Sequence, residues 1–337
     1  MTEAPPDAGP LRVLPYSRWW PLAAGVLAGL LLRLVFSGKP GNAYAAMMGS
    51  FIYLSPVVVG AVTVYVAEKA SRRSWAYYFW APFVANIFFV LGTLLIMVEG
   101  LICAVVIIPM FALVGSIGGL TMGLVCRATN WPRPTLYGLW ALPLILGAVE
   151  THIPVPQREH AVEQTMLIQA TPERIWQEIH DARAIQPGEV DAAWFFRIGV
   201  PLPHAGISQT SPSDNIRVIT MGKDIHFEQV VTDWQENRHV RWTHRYAADS
   251  FPKYALDDHV VLGGHYFDIT STAYSLTPRG NATELHVRMD YRVSTPFNWY
   301  ADPVSKFLLT NFESVLLRFY QHRSEVSHPM QQTGKNR

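Results

Sequence analysis

The stretch Val162-Glu-Gln-Thr-Met-Leu-Ile-Gln-Ala-Thr-Pro-Glu-Arg-Ile-Trp176 changes period in its middle. Up to Ala170 it alternates. Val162, Gln164, Met166, Ile168 and Ala170 fall on one face and Glu163, Thr165, Leu167 and Gln169 on the other, the period of a half-buried strand. Thr171-Pro172 then supplies an N-cap and a first-turn proline, and Ile175, Trp176 and Ile179 continue at helical spacing. A strand that passes directly into a short amphipathic helix sets the frame for everything downstream.

After a stretch rich in Pro and Gly over 182–214, read as irregular, strands are expected at 216–221, 225–234, 240–246, 266–276 and 283–293. Gly222-Lys223, Glu236-Asn237 and Pro278-Arg279-Gly280-Asn281 mark turns between them. A long helix closes the chain, capped by Asp302 and begun by Pro303, with Val304, Phe307, Leu308, Asn311, Phe312, Val315, Leu316 and Phe319 at helical spacing. Strand, short helix, antiparallel meander and long helix have a simple physical solution: the sheet curls around the long helix.

Upstream of this domain the chain has a different solvent. All 12 histidines lie from His152 onward, as do 21 of the 26 acidic residues beyond Glu150. Apolar runs occupy 19–36, 47–67, 77–98, 101–126 and, with Pro143 inside it, 136–149. A bilayer crossing takes about 20 apolar residues; the last run is short and reaches that length only with Trp131 to Thr135 added. The reading is five spans, with four as the alternative. Arg12 and Arg18, then Lys69, Arg72 and Arg73, then Arg127 and Arg133 fall in alternate loops, opposite Lys39 and Glu99. Positive charge stays cytoplasmic, so the N-terminus is expected inside and, after five spans, the soluble domain outside, which in a bacterial inner membrane is the periplasm. Arg33, one turn from the end of the first run, is expected to snorkel to the headgroups, and no paired charges are expected within the spans. Gly60, Gly92, Gly115, Gly118 and Gly119 are expected at close helix contacts.

The domain organisation is therefore a tail (1–18), a multi-span α-helical membrane domain (19–149), a linker (150–160), an α+β domain (161–326) and a second tail (327–337). Up to Glu150 there are nine Lys/Arg against five Asp/Glu, and beyond it 18 against 21. Neither half has the dense basic charge of a nucleic-acid binder, so nucleic acid is set aside as a partner. Cys103 and Cys126 both sit in one apolar run, which suits buried thiols rather than zinc or redox chemistry. Asp257, Asp258, His259 and His265 match no common metal spacing. Neither a metal nor another cofactor is expected.

The stretch quoted first, the hairpin Phe227-Glu-Gln-Val-Val-Thr-Asp-Trp234 with Val240-Arg-Trp242, the strand Thr283-Glu-Leu-His-Val-Arg-Met-Asp-Tyr291 and the terminal helix together resemble the SRPBCC superfamily. This is the START-like, helix-grip group that includes polyketide cyclase/dehydrase-like proteins, lipid-transfer domains and plant allergens. The resemblance covers about residues 160–325 and implies a deep apolar cavity between sheet and long helix. Strand alternation nominates its lining: Trp242 and His244; Phe267, Ile269, Ser271 and Ala273, with Ser275 on the same face; Met289 and Tyr291; and Leu308, Phe312 and Val315 on the helix. Small side chains at Ser271, Ala273 and Ser275 are expected to leave space beneath the helix. The expected function is membrane-tethered binding of a lipid or other hydrophobic small molecule. The alternatives are a cyclase, dehydratase or hydrolase using His244 and Tyr291, or a membrane sensor or assembly protein; the sequence points to no protein partner.

Overall fold

The structure, a computed structural model, describes residues 19–129, 138–210, 215–257 and 259–326. Arg12, Arg18, Trp131, Arg133, Thr135 and Asp258 therefore lie outside the described residues. The chain divides into two compact units, one of residues 1–99 with 106–153 and one of residues 100–105 with 154–337.

The first unit is helical. Its helices are α1 (Trp20–Val35), α2 (Gly49–Ala70), α3 (Trp75–Leu95), α4 (Leu101–Ala128) and α5 (Gly138–Val149). Among the described residues three of these, α2, α3 and α4, are long and apolar enough to cross a membrane. The 16 residues of α1 reach only about 24 Å at 1.5 Å per residue, and α5 has 12 residues. Glycine allows the helices to touch. A Cβ on Gly60 would strike the Gly115 carbonyl, and one on Gly118 the Val57 backbone, the close approach by which helices associate in lipid. Cys126 is buried with Ala61, Val64, Tyr78 and Met122.

One charged residue differs from expectation. Arg33 does not snorkel: its side chain is buried. Its Nε donates to Glu99 Oε1 at 2.7 Å, Nη1 to the Phe36 carbonyl at 2.6 Å and Nη2 to the Val98 carbonyl at 3.3 Å. An arginine one turn from a helix end is long enough to reach water, but here a carboxylate and two backbone carbonyls lie nearer, so a paired charge is preferred to a solvated one. Glu150 is likewise engaged, accepting from the Gly49 and Ser50 backbone N–H groups at 2.5 and 2.8 Å. It caps the positive end of α2.

Among the described residues the second unit is one sheet and four helices. Its elements are β1 (Gln157–Ile168), α6 (Pro172–His180), β2 (Asp181–Ala182), α7 (Pro187–Val190), α8 (Trp194–Arg197), β3 (Pro203–Thr210), β4 (Asn215–Met221), β5 (His226–Gln235), β6 (His239–Arg245), β7 (Phe267–Arg279), β8 (Ala282–Ser294) and α9 (Asn298–Val326). The sheet is antiparallel throughout, in the order β1-β8-β7-β6-β5-β4-β3-β2. The first strand thus pairs with the last, and the inner face closes on α9 over a core that includes Val162, Ile168, Ile175, Val240, Leu285, Val287, Leu309, Val315 and Phe319.

Three sequence readings change. β1 begins at Gln157, inside the expected linker, directly after Pro156, whose carbonyl takes the Asn298 amide at 2.8 Å. β3 runs through the expected irregular stretch; Pro203 and Gly206 weaken its strand signal, yet it pairs with β4 along its length apart from a bulge at His204 and has only the two-residue β2 on its other side, the edge position where such residues are tolerated. The long helix begins at Asn298, so Pro303 lies inside it. Asp302 is not its cap; it pairs with Arg158 at 3.1 Å and His160 at 3.3 Å.

Candidate functional site

Between the sheet and α9 lies a cavity of about 140 Å³. Its wall is overwhelmingly apolar and aromatic. Phe195 and Phe196 of α8 meet Phe312 of α9 with ring centroids 5.6 and 5.8 Å apart, and Val315, Leu316 and Phe319 extend that side. The sheet contributes Ile219, Phe227, Ile269 and Met289.

One polar chain crosses this wall. Arg217 of β4 is 6% exposed. Its Nη1 donates to Gln229 Oε1 at 2.9 Å and its Nη2 approaches the Tyr320 hydroxyl at 3.4 Å, while the guanidinium lies 5.4 Å above the Trp242 ring. Gln229 Nε2 is 3.1 Å from His244 Nε2. The chemistry of the partners orients the chain. A guanidinium only donates, so the amide oxygen of Gln229 faces it; the amide nitrogen then donates, so His244 Nε2 accepts and the imidazole proton sits on Nδ1. That Nδ1 is turned toward the Ile269 backbone without reaching hydrogen-bond geometry. Burial pulls the His244 pKa down to about 4, with Asp268 opposing, so the ring is neutral at physiological pH.

Gly206 makes room for this arrangement. It faces Ile219 across the β3–β4 ladder, and a Cβ there would lie 2.5 Å from Arg217 Nη2. Arg217 is hard to foresee from the sequence, because β4 carries apolar residues on both faces. The available hint is that Arg217 shares its face with Ile219 and Met221, and that Gln229 is flanked at i±2 by the apolar Phe227 and Val231.

Of the nominated residues, His244, Ile269, Met289, Phe312 and Val315 are on the cavity wall. Trp242 is fully buried behind it, under Arg217. Phe267, half-buried, packs against the buried Tyr291 away from the cavity wall, centroids 6.3 Å apart. Leu308 packs beside Ile198 and Val200 instead.

Ser271 and Ala273 are on the opposite face, a correction with a clear cause. The β7–β8 register shifts between Ile269 and Ser271, so Thr270 is an extra residue and the alternation restarts one place later. Thr272 and Tyr274 take the cavity positions. Ser271 donates to Asp290 at 2.7 Å and accepts from Arg241 at 2.9 Å, in a network that includes the Arg241–Asp290 ion pair. Ser275 pairs with His239 at 2.9 Å.

His244 and Tyr291 are thus not assembled on one wall. Burial and then the nearby Asp302 push the Tyr291 phenol up to about 12, leaving it neutral. Glu313 of α9, fully buried outside the cavity wall, has its carboxyl pushed up to about 8, chiefly by burial. Among the described residues no group of three His, Cys, Asp or Glu side chains is placed to hold a metal ion.

No protein-family model matches the chain, and no curated protein sequence does. Solved structures do. A START superfamily protein from Mycobacterium smegmatis is 17% identical over 49% of this chain and 97% of its own, with a TM-score of 0.34. TTHA0849 from Thermus thermophilus is 14% identical over 49% and 97%, at 0.32. Truncated norcoclaurine synthase from Thalictrum flavum is 10% identical over 52% and 98%, at 0.30. The C-terminal half is similar to these proteins, and by its own strand order it is a curled antiparallel sheet closing on a long C-terminal helix.

Proposed function

We propose that this protein binds a compact hydrophobic molecule in the cavity of its second unit and is held at a bilayer by its first. The observation that carries this reading is the cavity: an aromatic-lined space with a single polar chain on its wall, the composition of small-molecule sites. Its volume of about 140 Å³ is close to that of a ~150 Å³ apolar cavity known to admit benzene. A ring-sized or short-acyl body therefore fits as it stands; a whole lipid requires α9 to move away from the sheet. Binding is favoured over catalysis because His244 is neutral, its Nε2 is occupied, and Tyr291 is not on the wall with it.

For the anchor we propose five crossings, N-terminus inside. Within the helical unit, Glu68 accepts from the Arg73 backbone at 2.6 Å and Arg127 donates to the Arg73 carbonyl at 2.9 Å, so the basic residues gather at one end. Arg33, Glu99, the Phe36–Phe51 contact and the Glu150 cap of α2 gather at the other. The chain therefore passes from the basic end to the opposite end between Arg127 and Glu150, which supports a fifth crossing.

The ligand reading is tested by native mass spectrometry of the purified full chain beside Ala205→Phe, whose ring enters the cavity from β3 at a cost of roughly 1–3 kcal/mol. Wild type is expected to retain an apolar molecule that the variant lacks. Equal retention by a folded variant would mean the cavity is only an imperfectly packed core.

A further inference from the structure

We infer that the molecule taken by this cavity is an acid: a ring-sized or short-acyl body whose carboxylate seats against Arg217. This rests on the ligand-binding reading above and adds the chemical class.

Arg217 is the one charged side chain on the wall among the described residues. Its surroundings are wrong for an arginine that merely holds the fold together. It forms no ion pair with any described residue, and its Nε has no hydrogen-bond partner. What it does have is neutral: an amide oxygen, a distant phenol and an indole face. A buried charge is costly unless paired, and one donor left without an acceptor adds to that cost. The Trp242 face offsets part of it, as a desolvated cation over indole does, but supplies no negative charge.

The neighbours are arranged to keep the cation available rather than to neutralise it. Gln229 turns its oxygen to Arg217 and hands its N–H to a neutral His244, so the chain ends without a counterion. Gly206 removes the Cβ that would press on Nη2. A carboxylate is planar, matches the fork of a guanidinium and can accept from Nε and an Nη together. It supplies the missing acceptor and the missing charge in one group, while its apolar body occupies the aromatic space between Phe227 and Phe312.

The test uses the full chain in detergent, with heats for detergent alone subtracted, and titration calorimetry with three probes of one ring-sized body: benzoate, benzyl alcohol and benzylamine. Wild type is expected to bind the acid at least tenfold more tightly than the alcohol, and the amine least. In Arg217→Met the acid is expected to fall to the affinity of the alcohol. Gly206→Ala, which displaces the guanidinium without removing it, serves where that variant does not fold, with the same direction of loss. Acid and alcohol binding equally to wild type overturns the inference while leaving the apolar cavity as a ligand site. An acid preference that survives Arg217→Met overturns the assignment to Arg217. Binding of none of the three overturns both this inference and the ligand reading beneath it.

Discussion

His244 illustrates how burial decides what a residue can do. The imidazole ordinarily titrates near 6.5, but burial lowers it to about 4 in the folded chain. Its neutral form then contributes stability that is fully present above about pH 6.5. That stability is lost as pH falls from there toward 4, because the unfolded chain takes up a proton the folded one refuses. His180, also pulled down to about 4 chiefly by burial, acts in the same direction. In His244→Gln the amide oxygen can still accept from Gln229, so the variant is expected to fold with a change within about 1 kcal/mol at pH 7.5. It should lose less melting temperature than wild type between pH 7 and 5, as followed by circular dichroism, and keep its ligand. A turnover that vanished in this variant by the factor of about 10² to 10⁴ expected of a general acid or base, with binding intact, would instead establish an enzyme. The sequence made His244 visible as a polar residue between Trp242 and Tyr246. It could not reveal that Gln229 holds its Nε2, since that pairing joins residues 15 apart through strand register.

At the scale of elements, alternation was legible wherever strands are regular and misleading where one is not. β8 places Leu285, Val287, Met289, Tyr291 and Val293 on the inner face as its sequence indicates. β7 does not hold its phase, because no local signal distinguishes Thr270 as a bulge from Thr270 as an ordinary outward residue; the register is set by β8 beside it. β3 is hidden for a related reason: its pairing with β4 compensates for a composition that reads as loop. The bulge makes a sharp prediction. Ala273 lies between Arg241 on β6 and Arg288 on β8, so Ala273→Glu should be neutral or stabilising by roughly 0.2–1 kcal/mol through cross-strand pairs. Thr272→Lys, one residue away, should be severely destabilising, since it adds a second cation beside Arg217 at a buried position on an apolar wall. Thermal melts of the two variants give the answer. The opposite ranking would mean that the alternation runs uninterrupted and that Ser271 and Ala273 face the ligand.

At the scale of the whole molecule, the division into an apolar helical half and a polar half was plain from the placement of histidines and acidic residues, while the number of candidate crossings was not. Hydropathy alone cannot count the 14-residue apolar run 136–149 as a crossing. Nor could it foresee that Arg33 and Glu99, read separately as span-end charges, would be bonded to each other at 2.7 Å. What links the fifth segment to the others is packing. Tyr44 donates to the Leu144 carbonyl at 3.2 Å and Glu150 caps α2, which fixes the end at which α5 finishes. Basic residues at the far end then set the direction, since Lys and Arg in short loops remain cytoplasmic. The expected topology is tested in a bacterial host by fusing alkaline phosphatase, active only after export, and a fluorescent protein that matures only in the cytoplasm. The fusions are made after Arg127 and after Arg337. Fluorescence without phosphatase activity is expected at Arg127 and the reverse at Arg337, because one further crossing separates the two points. Fluorescence at both would make the number of crossings even, remove α5 from the bilayer and place the acid-binding cavity in the cytoplasm.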